Sequence, residues 1–191
     1  MRLRLFALLG SLFLFASAHA ASPDPSVLIK TSLGNITVQL NPQRAPKTVA
    51  NFLRYVRAGF YNGTIFHRVI PGFMIQGGGL TVKMVKKPTH AGIPNESDNG
   101  LNNVRGSIAM ARTMEPNSAT SQFFINLRDN PFLNYSPVKG EGYAVFGKVI
   151  KGMSVVDKIA VTPTTDRDGR QNVPINPVII ESISLVTSSP A

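Results

Sequence analysis

The chain of 191 residues contains no cysteine. Disulfide staples, thiolate nucleophiles and cysteine-containing zinc sites are thereby excluded, and stability has to come from packing. Histidine is scarce, with three in all. His19 lies in the first twenty residues, and His67 and His90 stand in unrelated contexts, so no histidine cluster offers a metal site. The 10 acidic residues are scattered, which leaves paired-carboxylate hydrolysis without a candidate. No Gly-x-Ser-x-Gly elbow and no His-Glu-x-x-His occurs. Gly77-Gly78-Gly79 is not followed by Gly-Lys-Ser/Thr and does not open a helix, so it is no phosphate loop. It reads as a flexible turn or a place of close backbone approach.

What is present begins with an address. Met1–Arg4 is basic, Leu5–Ala16 is apolar apart from Gly10 and Ser11, and Ala18 and Ala20 put small residues at −3 and −1 of a cut before Ala21. This is the pattern of a secretory signal peptide over residues 1–20. The alternative is an uncut anchor, but the run is shorter than the ~20 residues that a spanning helix needs. Cleavage leaves residues 21–191, the size of one soluble domain with a sizeable core. Residues 21–26, with two prolines, read as a short tail, as do residues 187–191. The chain carries 20 Lys+Arg and a formal net charge of +10, of which only Arg2 and Arg4 lie in the leader. The charges are dispersed, with Lys83, Lys86 and Lys87 the densest group. Without an aromatic-basic platform, nucleic acid is not an expected partner.

The body of the chain reads mostly as short strands. Val27–Leu33 and Asn35–Leu40 flank a turn at Gly34, and Ile36, Val38 and Leu40 alternate with polar neighbours. Further candidates are Ile65–Val69, Phe73–Gln76, Gly106–Met110, Gln122–Asn126, Val145–Val149 and Val178–Val186. Two helices interrupt them. Pro46–Arg57 places Val49, Phe52, Leu53 and Val56 on one face, with Pro46 suited to the first turn and Gly59 to the stop. Met153–Ala160 turns Met153, Val156 and Ile159 or Ala160 inward. The pattern fits a sandwich or a barrel with helices over its open ends, and does not separate the two. Leu80–Val104 has little periodicity; a loop that long is either functional or built of packed turns.

Three segments bear on chemistry. In Phe66–Gly78 two strands flank a Pro71-Gly72 turn, with Arg68 and Gln76 among apolar neighbours. A cation there is costly unless it is paired, reaches a cleft or sits on an edge strand. Alternation turns His67 away from the face that carries Arg68, as a structural histidine. In Met110–Arg112 and Ser121–Asn126, the adjacent Phe123 and Phe124 point to opposite faces, so one can line a groove; both can equally be ordinary packing. Pro131-Phe132-Leu133 and Gly142–Val149 place aromatics beside a strand, where they either wall a pocket or cap a core.

Phe66-His67-Arg68-Val69-Ile70-Pro71-Gly72-Phe73-Met74-Ile75-Gln76-Gly77-Gly78 closely resembles the signature of the cyclophilins, the cyclophilin-type peptidyl-prolyl cis-trans isomerases. Ser121–Ile125 and Val145–Val149 resemble further strands of that family in the same order, and the resemblance spans Val27–Val186. It implies a mainly β fold: a closed eight-stranded antiparallel barrel with two capping helices and a proline groove on its outer face. It implies Arg68 as the catalytic residue and Phe73, Met74, Phe124 and Leu133 as walls of a proline pocket. Gln76 would hold substrate backbone, Ala111 and Arg112 would pair with the extended peptide, and Gln122, Phe132 and Tyr143 match further groove positions. The partners implied are proline-containing unfolded or flexible chains, met in the periplasm or outside the cell by a monomer without metal or cofactor. Phe132 stands where better-known eukaryotic members carry tryptophan, Tyr143 where they carry histidine, and Arg112 where they carry asparagine. The tryptophan N–H contacts cyclosporin in that family, so weak cyclosporin binding is expected here. Arg112 either favours acidic substrates or is simply solvated.

Overall fold

The computed structural model describes residues 24–138 and 140–186. The expected signal peptide over 1–20 and the tail at 187–191 lie outside the described residues, as do residues 21–23 of the N-terminal tail. Strands β1 (Ser26–Thr31) and β2 (Gly34–Leu40) form the expected hairpin, and α1 (Pro46–Arg57) follows. Then come β3 (Thr64–Ile70), β4 (Met74–Thr81), β5 (Ser107–Met110), β6 (Phe123–Asn126) and β7 (Val145–Lys151). Helix α2 (Met153–Ala160), β8 (Thr164–Arg167), β9 (Arg170–Pro174) and β10 (Val178–Val186) complete the chain order.

Eight strands close into an antiparallel barrel in the order β1-β10-β3-β4-β6-β5-β7-β2, while β8 and β9 form a separate hairpin. Closure decides the barrel-or-sandwich question left open by the strand pattern. Inward positions of the strands fill the interior: Val27, Ile29, Ile36, Val38, Ile75, Phe123 and Phe146 belong to one buried cluster. From α1, Phe52 enters this cluster and meets the rings of Phe123 and Phe146 at 5.7 and 5.2 Å. Val156 and Ile159 enter it from α2. One end of β2 runs on toward α1, and a Cβ at Gly34, its other end, would lie 2.8 Å from Val155 of α2, so the helices close opposite ends of the barrel.

Of the two readings of Gly77-Gly78-Gly79, flexible turn or close backbone approach, the structure shows the second, and β4 continues through it. Glycine is required by close approach, because a Cβ at Gly77 would lie 2.8 Å from the Ile65 carbonyl oxygen, and Gly78 adopts φ +81°. The β8–β9 hairpin lies outside the expected strands. It turns at Asp168 and Gly169, both with positive φ, an Asp-Gly pair of the kind that two-residue hairpins favour.

The long loop after β4 is built of packed turns held by side chains. Helix α1 has no cap from its own N-terminal residue; Glu96 of this loop supplies one. Its Oε1 accepts from the Lys47 amide at 3.0 Å, and its Oε2 from the Thr48 amide and hydroxyl at 2.8 and 2.7 Å. Asn99 donates to the Val145 carbonyl at 2.9 Å, which ties the same loop to β7.

Candidate active site

Antiparallel register lays a row of residues across the outside of four neighbouring strands. Arg68 of β3 is paired with Gln76 of β4, Gln76 with Phe124 of β6, and Phe124 with Ala109 of β5. Phe123 is fully buried in the barrel interior, whereas Phe124 belongs to a second, outer cluster with Met74, Ala109, Leu133 and Val145. The two phenylalanines therefore do face opposite ways, and the outer cluster floors an open cavity of about 580 Å³.

Every expected site residue except Phe132 lines this cavity. The Phe132 ring is 59% exposed and stacks on Phe73 at 5.7 Å, outside the lining. His67, Gly169, Arg170 and Gln171 line the cavity as well. The only sequence signal for the hairpin residues is the Asp168-Gly169 turn. Strict alternation places His67 on the opposite face. A register shift between Phe66 and Arg68 sets two residues of β3 against one step of β4. Such a bulge breaks the alternation and brings His67 and Arg68 to the same cavity.

The side chains differ in how far they are already committed. Arg68 is half-buried and its side chain makes no hydrogen bond or ion pair with a described residue, so its guanidinium donors are available to the cavity. Gln76 Nε2 donates to Gln122 Oε1 at 3.0 Å, and the rest of its amide stays free for another partner. Arg112 is engaged by the protein itself. Its Nε donates to the Gly142 carbonyl at 3.1 Å, its Nη1 to Thr113 at 2.9 Å and its Nη2 to Glu141 at 2.6 Å. Its guanidinium also lies 4.8 Å from the centre of the Tyr143 ring. Tyr143 in turn meets Phe124 edge-on at 5.6 Å. Arg112 thus clamps one wall of the cavity.

Behind the walls lies a buried amide network. Asn103 donates to the Leu133 and Tyr143 carbonyls at 3.2 and 3.3 Å, and Asn130 to the Phe73 carbonyl at 3.1 Å. Asn126 joins them, donating to Asn103 Oδ1 at 3.1 Å and accepting from Asn130 at 2.8 Å. Three wall residues are thereby held by their main chains, the kind of second layer that fixes side-chain positions to fractions of an ångström.

His67 is 4% exposed, and its Nδ1 has no hydrogen-bond partner among the described residues. Burial, with the Arg170 and Arg68 charges adding to it, lowers its imidazole to about 4, against smaller opposing effects of the Ile65 backbone and Gln122. It is neutral at neutral pH and unsuited to donate a proton there.

A family profile described as cyclophilin type peptidyl-prolyl cis-trans isomerase/CLD matches residues 26–185. The chain belongs to the cyclophilins. Among its relatives, the peptidyl-prolyl cis-trans isomerase A of Dickeya dadantii (strain 3937) is 54% identical over 176 residues, 92% of each chain. A peptidyl-prolyl cis-trans isomerase of Acinetobacter baylyi is 57% identical over 182 residues, 95% of each. The crystal structure of a cyclophilin type peptidyl-prolyl cis-trans isomerase from Cryptosporidium parvum matches with a TM-score of 0.72 at 30% identity, covering 87% of this chain and 99% of that one. The same parasite protein, crystallised in the presence of the dipeptide Ala-Pro, matches at a TM-score of 0.71 and 31% identity, over 85% and 99% of the two chains. As a cyclophilin, this protein is a peptidyl-prolyl cis-trans isomerase acting on proline-containing polypeptides.

Proposed function

We propose that Arg68 is the catalytic residue of this isomerase and that Phe73, Met74, Phe124 and Leu133 hold the proline ring. The observation that carries this reading is Arg68 itself, a half-buried guanidinium without a partner among the described residues, beside a cavity floored by apolar side chains. The reaction makes and breaks no bond. Amide resonance sets a barrier of about 20 kcal/mol, and the twisted state has a pyramidal prolyl nitrogen with a localised lone pair. A donor to that nitrogen is bound most strongly when resonance is lost, so it stabilises the transition state over either planar isomer. Arginine suits the task because it is always charged and its donors are rigidly oriented.

The remaining roles follow the same layout. Gln76, held by Gln122, offers donor and acceptor to substrate backbone. The Ala111 amide already donates to the Gln122 carbonyl at 3.0 Å, which leaves the Ala111 carbonyl and the Arg112 amide for the extended chain before proline. Tyr143 walls the groove under Arg112, and Phe132 supports Phe73 from the rim. Residues 1–20 are a cleaved leader, residues 27–186 form the isomerase domain, and the mature enzyme works as a monomer in the periplasm or outside the cell. Its clients are exported chains whose folding waits on X-Pro bonds, which interconvert unaided over tens to hundreds of seconds. Cyclosporin binds weakly, since Phe132 offers no indole N–H.

The test is isomerisation of a short X-Pro peptide by the mature protein, wild type beside Arg68→Ala and Arg68→Lys, with folding checked by circular dichroism. The expected result is loss of most of the acceleration in the folded alanine variant and weak recovery with lysine. Folded variants as fast as wild type would refute the role of Arg68.

A further inference from the structure

The cavity walls carry positive charge with nothing to balance it. Arg68, Arg112 and Arg170 line it, and among the described residues no aspartate or glutamate does. The three are not equivalent. Arg112 is committed to backbone carbonyls and to Tyr143, and Arg68 is assigned to the prolyl nitrogen. Arg170 has no part in that scheme. It opens β9 and is exposed, and its guanidinium makes no hydrogen bond or ion pair with a described residue. The carboxylate at the hairpin turn, Asp168, is turned to Arg167 at 3.5 Å instead. The Arg170 charge nevertheless reaches into the cavity, where it helps hold His67 neutral.

Its location relative to a bound chain follows from the strand order. Across the outer face the sequence is β3-β4-β6-β5, with Ala111 and Arg112 following β5 at one flank and β9 packed beside β3 at the other. Three inter-strand steps of about 4.8 Å span about 14 Å, the reach of roughly four extended residues. A chain that lays its residues before proline along Ala111 and Arg112 therefore places the proline over Phe124 and Gln76. It leaves across β3, past the hairpin, one or two residues later.

We propose that Arg170 makes this groove selective for X-Pro segments bearing a carboxylate one or two residues after the proline. The inference rests on the placement of proline between Arg68 and Phe124 proposed above. A guanidinium with free donors pairs side-on with a carboxylate. The pair forms at an exposed rim, so the gain is modest, about two- to fivefold. An arginine that merely raised the solubility of the hairpin would confer no such selectivity.

The experiment measures kcat/KM by exchange spectroscopy on three peptides, Ala-Ala-Pro-Glu-Ala, Ala-Ala-Pro-Gln-Ala and Ala-Ala-Pro-Lys-Ala, with blocked ends. The enzymes are the mature wild type, Arg170→Gln and Arg170→Glu. The expected result is a Glu-over-Gln ratio of about two- to fivefold in wild type, shrinking with added salt. The ratio falls to about one in Arg170→Gln, and Arg170→Glu prefers the lysine peptide. A wild-type ratio of one, or a ratio that survives unchanged in Arg170→Gln, overturns this inference and leaves the isomerase site standing. No acceleration of any of the three peptides by wild type would overturn the underlying site assignment, and this inference with it.

Discussion

Acidification should destabilise this protein through a single buried imidazole. His67 is 4% exposed and its Nδ1 is unpartnered; burial and the adjoining arginine charges lower it from 6.5 to about 4. In the unfolded chain the ring recovers the ordinary value. Between these two values the unfolded state binds more protons than the folded one, so stability rises with pH across that window. Full stability is present above about pH 6.5 and drains away as pH falls toward 4. Relative to pH 7, integration gives a loss of about 2 kcal/mol at pH 5 and about 3 kcal/mol at pH 4. That is a large part of the ~5–15 kcal/mol that holds a typical domain together. The measurement is urea unfolding of wild type and His67→Gln at pH 7, 6, 5 and 4. Carboxylates weaken both proteins in acid, and the comparison cancels them. With slopes of roughly 1–3 kcal/mol/M, the wild-type midpoint should fall about 1 M further than that of the variant between pH 7 and pH 5. A difference between the two proteins that stays constant over the whole range would refute the reasoning, since it would mean that His67 titrates alike folded and unfolded.

Other perturbations test other parts of the molecule. Glu96→Ala removes the acceptors at the start of α1 and should cost about 1–2 kcal/mol; an unchanged urea midpoint would show that water replaces the cap without loss. Phe123→Ala empties a site against Phe52, Tyr61 and Phe66 and should cost about 3–5 kcal/mol. Phe124→Ala widens a cavity already open to water, so it should cost less stability and chiefly raise KM for an X-Pro peptide; equal effects of the two would contradict the division into inner and outer clusters. Phe132→Trp restores an indole N–H at the rim and should tighten cyclosporin inhibition about two- to tenfold. An inhibition titration showing tight binding to the wild type would defeat the premise.

The parts of the fold most legible in the sequence were those with a single strong period. Both helices run from Pro46 to Arg57 and from Met153 to Ala160 as their apolar spacing requires, and β10 covers Val178–Val186 as expected. Strand ends were less legible, because pairing rather than pattern extends them: β4 passes through three glycines at which a Cβ would meet Ile65, Phe123 and Gln122 in turn, residues on other segments of the chain. The groove was legible where neighbouring residues face opposite ways, as with Phe123 and Phe124. It was illegible at His67, because a bulge is a property of two strands and neither sequence announces it. Arg112 illustrates the same limit. Two of its four carbonyl partners, Thr113 and Met114, are chain neighbours, but Glu141 and Gly142 lie about 30 residues on, and only the folded chain brings those within reach. The Arg170 hairpin is a different case, for the Asp168-Gly169 signal was there to be read.

The seam of the barrel has a consequence for when the protein can exist. Strand β1 pairs with β10, Ser26 opposite Val186, and β10 also pairs with β3. The strand that seals the ring is therefore the last of the ten to leave the ribosome. Until Val178–Val186 arrives, β1 and β3 each present an unpaired edge, and the cluster built on Val27 and Ile29 lacks Ile180 and Ile183. Ring closure joins residues about 150 positions apart, the kind of contact that makes folding slow. The nascent chain thus cannot close its barrel before β10 has been made, and completes its fold in one late step.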